Sequence, residues 1–125
     1  MTLDIIIKSR NILDRMHWAA KRKLKQEYAL LIRNQMRTKK HYHDLITEPK
    51  FFTLEIVSYR KRLLDYDNLV GGCKQLIDAL SKERFIWDDD MKHLGIPQFI
   101  QQKCSKGIDP FVTIYRKLVP CLKNI

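Results

Sequence analysis

Between His17 and Met36 the apolar residues Ala20, Leu24, Tyr28, Leu31 and Ile32 fall at i, i+4, i+8, i+11 and i+12. No other pattern constrains the chain as strongly, because that spacing is one face of a long helix that must find a partner layer. Lys21, Arg22, Lys23, Lys25 and Arg33 lie off the stripe and make the opposite side basic. Downstream, Phe52, Leu54 and Ile56 alternate with Thr53 and Glu55, the period of a half-buried strand that runs to about Tyr59.

The remaining elements follow from these two. Leu3 to Ile7 is rich in β-branched residues and reads as a first strand, and Asn11 to Met16 as a connection. The polar tract Arg37 to Lys50 reads as a loop. A second helix is predicted from Leu69 or Cys73 to Glu83, with Leu69, Cys73, Leu76, Ile77 and Leu80 on one face. Ile96 to Lys103 and Phe111 to Leu118 read as two strands joined as a β-hairpin through the turn Lys106-Gly107-Ile108-Asp109-Pro110. The order β-α-β-α-β-β predicts an α+β fold: one small domain over residues 1–125, with a mixed β-sheet and two main helices.

No stretch approaches the roughly 20 apolar residues that span a bilayer. The start, Met1-Thr2-Leu3-Asp4, has an acid where a secretory signal wants basic residues, so a cytoplasmic protein with no membrane association is expected. Cys73, Cys104 and Cys121 are odd in number and widely spaced, which reads as reduced thiols.

Charge is unevenly distributed. The net charge is +10, which suits a polyanionic partner. Residues 1–62 hold 15 Lys/Arg against 6 Asp/Glu, a net of +9, whereas residues 63–125 hold 9 against 8, a net of +1. Asp65, Asp67, Asp78, Glu83, Asp88, Asp89 and Asp90 crowd into one segment. A basic protein that concentrates its acids is either keeping them for a cation or presenting a solvated face.

In Asp65-Tyr66-Asp67-Asn68, extended backbone would point both carboxylates to one side, and Asp88-Asp89-Asp90 can fold back to meet them. Hard oxygen donors favour Mg²⁺ or Mn²⁺. A calcium loop starting at Asp65 would need Gly and Glu where Val70 and Leu76 stand. His41 and His43 have no cysteine partners for zinc, and His17 and His93 stand alone. No Gly-rich phosphate loop ends in Lys-Ser/Thr, so no nucleotide cofactor is expected, and no nucleophile-elbow motif is present. Asn68 is equally explained as a helix cap.

The run Asp65-Tyr66-Asp67-Asn68-Leu69, then Lys74, Asp78-Ala79-Leu80 and Trp87-Asp88-Asp89, resembles the signature of the RusA-like Holliday junction resolvases. The resemblance implies a homodimeric endodeoxyribonuclease, from a bacterium, phage or prophage, that resolves four-way DNA junctions with Mg²⁺ (or Mn²⁺). By position, Asp65, Asp67 and Asp89 match the family's essential carboxylates, and Lys74 its catalytic lysine. Asp88 is a further candidate metal ligand, and the part of Asp90 is open. This chain departs from the family where the lysine would follow the second Asp by four residues. Gly71 stands there, and Val70-Gly71-Gly72 reads as a three-residue lengthening. The connection Lys8 to Leu13 also lacks the proline-containing segment common in the family.

In the implied mechanism the acids hold cations that activate water, and Lys74 offsets charge on the phosphate. The plainer role for Lys74 is an i, i+4 pair with Asp78, itself read as structural. Lys21, Arg22, Lys25, Arg60, Lys61 and Arg62 are the expected phosphate contacts, or simply solubilising charge. Phe85 and Trp87 could wedge into a junction but suit core packing better. Crowded carboxylates predict activity that falls as pH drops toward about 6. Two rivals stay open: a nuclease for flaps or forks, and a basic DNA-binding protein without catalysis.

Overall fold

The alternating segment forms strand β2, Phe52–Arg60, whose residues Phe52, Leu54, Ile56, Ser58 and Arg60 all point inward and are buried. Around it the computed structural model, which describes residues 1–38 and 45–120, builds a four-stranded mixed sheet. The other strands are β1 (Thr2–Leu3), β3 (Gln98–Lys103) and β4 (Phe111–Leu118), and the spatial order is β1-β4-β2-β3. Four helices accompany it: α1 (Arg10–Arg15), α2 (Trp18–Thr38), α3 (Tyr66–Gly72) and α4 (Lys74–Lys82). The fold is α+β, as the element order predicts.

The expected hairpin does not form. β4 pairs antiparallel with β2 and β3 pairs parallel with it, so β2 lies between the two. A parallel pair needs a long crossover, and residues 66–82 supply one as α3 and α4. The Lys106–Pro110 turn, with Gly107 at φ 84°, therefore passes the end of β2 rather than closing a hairpin. Cys104 N–H donates to the Arg60 carbonyl there at 3.0 Å.

Other boundaries also shift. Asn11 to Met16 is mostly helix, because Ser9 Oγ accepts the Ile12 N–H at 3.2 Å and Leu13 anchors the turn in the core. Of the expected first strand, Leu3 to Ile7, only Leu3 pairs with β4, and Thr2 before it joins the pairing. The long helix begins just after His17, whose ring nitrogen accepts from Ala19 N–H at 3.2 Å. Its buried stripe is Leu24, Tyr28, Ala29, Ile32 and Met36, while Ala20 and Leu31 of the expected stripe are exposed. The second helix is broken at Cys73 into α3 and α4. Residues 45–50 are neither helix nor strand; His41, His43 and Cys121 lie outside the described residues.

Helices cover one side of the sheet. Leu24, Tyr28 and Ile32 of α2 join Leu76 and Leu80 of α4, Ile56 of β2, and Val112 and Ile114 of β4 in a single core. Each such aliphatic side chain contributes about 1.5–3 kcal/mol by leaving water. Among the described residues, Thr53, Glu55, Tyr59, Ile100 and Tyr115 on the other side of the sheet line an open groove. Among the described residues no helix is long and apolar enough to cross a membrane.

Candidate active site

The carboxylates sit on two local structures. After β2 the chain bends, and Leu64 is pinned to β3 by paired hydrogen bonds with the Gln101 amide at 2.9 and 2.5 Å. Asp65 follows as the residue preceding α3, with extended backbone (φ −60°, ψ 148°), and its side chain makes no capping bond. Asp67 lies inside the first turn of α3. The extended Asp65–Asp67 pair is thus replaced by a strand-to-helix corner, because helix formation begins at Tyr66. Both acids are exposed.

The second group hangs on the end of α4. Arg84, at φ 60°, takes the left-handed position usually given to glycine. Arg84 N–H donates to Ser81 O at 3.1 Å and Phe85 N–H to Leu80 O at 3.0 Å, which closes the last helical turn. The Arg84 guanidinium stacks 4.3 Å over the Trp87 ring and donates to the Trp87 carbonyl. Chain reversal therefore brings Asp88, Asp89 and Asp90 back beside α4. Phe85 is buried in the core, where Arg116 packs 4.4 Å over it, so it is no wedge for a junction.

At this turn the Asp89 carboxyl meets both Asp88 and Asp78. Partial burial, hydrogen bonding with Asp88 and Asp78, and their negative charge hold the Asp89 carboxyl above its ordinary pKa. The Asp88 carboxyl is held below its own, first by the Asp89 backbone N–H, which donates to it at 2.7 Å, and then by the Asp89 side chain. Lys74, Asp78 and Asp89 line one open groove of about 440 Å³, with Val70, Met91 and Phe99. Asp78 is ion-paired with Lys25 of α2 at 3.7 Å, rather than with Lys74. Lys74 makes no ion pair among the described residues and is exposed. Asp78, expected to be structural, thus shares the groove of Lys74 and Asp89.

Among the described residues, the group with ligand atoms within 4.8 Å of one another is Asp88, Asp90 and His93, not Asp65, Asp67 and Asp89. In that group His93 Nδ1 lies 2.6 Å from Asp90 Oδ1. A local loop hydrogen bond accounts for the contact.

Of the basic candidates, Arg22 and Lys25 frame a recess of about 340 Å³ beside Asp78, with Lys82, which the sequence reading missed. Lys21 is half-buried, and Lys61 and Arg62 are exposed. Arg60 is a correction: its side chain is buried, and its guanidinium donates to the carbonyls of Arg62 at 2.6 Å and Ile7 at 2.7 Å. Two of its five N–H donors are thus spent inside the fold, and burial leaves little of the side chain for a phosphate. Inward alternation from Phe52 was the signal that could have placed it there.

Comparison of the chain with protein-family models, curated proteins and solved structures gives no match.

Proposed function

We propose that this chain is a metal-dependent endodeoxyribonuclease of RusA-like type, acting on branched DNA and on four-way junctions first. One observation carries the reading: on a protein of net charge +10, the Asp89 carboxyl meets those of Asp88 and Asp78 in a groove that it shares with Lys74. Such crowding costs stability until a cation relieves it.

The donor set is all carboxylate, which fits Mg²⁺ or Mn²⁺. Asp89 and Asp88 would hold the ion, with Asp65 and Asp67 from the α3 corner as the further ligands implied by the resemblance. Such an ion, when bound, supplies a water of lowered pKa and takes up charge at the scissile phosphate. Lys74 donates to the non-bridging phosphate oxygens as charge builds on them. Asp78, held by Lys25, keeps Asp89 in place. Arg22, Lys25, Lys61 and Arg62 bind flanking phosphates without reading bases. A homodimer supplies the second cut that a two-fold junction requires.

Asp65 and Asp67 are not grouped with Asp89 within 4.8 Å, which favours a second reading, a branched-DNA-binding protein that does not cleave. A labelled four-way junction incubated with Mg²⁺, with Asp67→Asn and Asp89→Asn in parallel, decides between them. Paired nicks on opposing strands, absent in both variants, support the nuclease. Gel shifts without nicks from any of the three proteins leave only binding. Flaps and forks in the same assay rank the substrates.

A further inference from the structure

Gly71 and Gly72, which lengthen α3 relative to the family pattern, mark a crossing of two chain segments. A Cβ on Gly72 would lie 2.0 Å from the Lys8 carbonyl oxygen. A Cβ on Gly71 would lie 2.6 to 2.8 Å from Cδ, Cγ and Cβ of Arg10. The Lys8–Arg10 segment therefore rests directly on the end of α3, and only glycine leaves it room.

The segment is fixed on every side. Arg60 Nη1 grips the Ile7 carbonyl at 2.7 Å, Ile7 is wholly buried, and Ser9 Oγ caps α1 at 3.2 Å. Asp67 and Gly71 are four residues apart on α3, so they are surface neighbours about 5–6 Å apart. The Arg10 stem is thus stationed one helical turn from Asp67. Its side chain is nevertheless 61% exposed, and its one ion pair among the described residues is with Asp14, at 3.5 Å in the i, i+4 position. Such an exposed pair is weak and yields easily to a stronger acceptor.

We infer that Arg10 is a phosphate-binding residue of this site, delivered across the Gly71 seat so that its guanidinium takes a DNA phosphate next to Asp67. The planar fork of donors suits a phosphate bidentately. The assignment rests on the nuclease reading only in placing DNA over the α3 corner.

The test is equilibrium binding of a labelled four-way junction in EDTA across a salt series, so that cleavage does not enter. Arg10→Ala is expected to weaken binding about tenfold at moderate salt and to reduce the log–log salt slope by about one. Arg10→Lys should recover most of the slope. Asp14→Ala, which frees the guanidinium, should tighten binding a few-fold, and that gain should vanish when Arg10→Ala is added. A slope unchanged by Arg10→Ala, or additive effects at residues 10 and 14, would overturn the assignment while leaving the nuclease reading intact. Wild-type protein that does not bind the junction at all removes both.

Discussion

Arg60 Nη1 donates to the Ile7 carbonyl at 2.7 Å from within the core, tying the end of an inner strand to the segment that crosses α3. Burial pulls the Arg60 pKa down, yet the charge is retained because two carbonyls accept hydrogen bonds from its N–H groups. Arg60→Ala strands both carbonyls and is expected to cost about 2–4 kcal/mol in urea unfolding. Arg60→Lys should recover little, since an ammonium cannot match the fork. Lys61→Ala and Arg62→Ala should change stability by less than about 0.5 kcal/mol and weaken DNA binding instead. An Arg60→Ala protein with wild-type urea resistance and a reduced salt slope would return Arg60 to the DNA surface.

Asp89 makes a second prediction with a definite sign. Its folded pKa is raised, chiefly by partial burial and then by Asp88 and Asp78. Its contribution to stability is therefore full below the unfolded pKa and is lost as pH rises through the folded one. Asp89→Asn should raise the melting temperature at pH 8, and the advantage should disappear once pH falls below the ordinary carboxylate range. Added Mg²⁺ should raise the melting temperature of the wild type and do less for the variant. Because a proton and a cation compete for the same oxygens, cleavage should fall on the acid side. Equal melting temperatures at pH 8, or cleavage that is flat from acid to pH 9, would contradict this account.

The readable parts of the sequence were those where one local period dominates. Phe52-Thr53-Leu54-Glu55-Ile56 gave β2 because alternation has a single structural solution, and Leu24-Tyr28-Ile32 gave the core face of α2. The partner of β3 was not legible, because a strand can be flanked by any strand of compatible register and that choice is made by packing. α1 was overlooked although Ser9 is a good cap, since six residues give too short a stripe to show a period. At the site, Lys74 and Asp89, which the resemblance singled out, line one groove. Asp78 was undervalued because its i, i+4 spacing from Lys74 suggested an ion pair that Lys25 makes instead. Val70-Gly71-Gly72 stood out as a departure from the pattern it resembles, but which segment would lie on the two glycines depends on tertiary contacts.

Cysteine reactivity gives a third prediction. Cys73 joins α3 to α4 with no exposure, and burial pushes its thiol up to about 12, against which the Arg60 charge is a minor opposing influence. Cys104 is only half-buried. In a Cys121→Ser background, a disulfide reagent at pH 8 should label one thiol quickly and the second only in denaturant. Fast labelling of both in the folded protein would mean that the α3–α4 joint opens.

The other face of the sheet supports the last prediction. The outward positions of β2, β3 and β4 include Val57, Tyr59, Ile100, Phe111 and Tyr115, with Tyr59 and Phe111 stacked at 4.3 Å. These positions carry one acid, Glu55, and one base, Lys117, on a chain of net charge +10. A face with so little net charge on a strongly basic chain suits a second copy better than DNA. The wild type is therefore expected to sediment as a dimer. Tyr115→Arg, at a side chain 54% exposed, should give a folded monomer with an unchanged circular dichroism spectrum. That monomer should nick junctions singly rather than in pairs, because each copy has one Asp89 groove. A wild type that stays monomeric at tens of micromolar, or a Tyr115→Arg protein that still cuts in pairs, would move the dimer contact off this face.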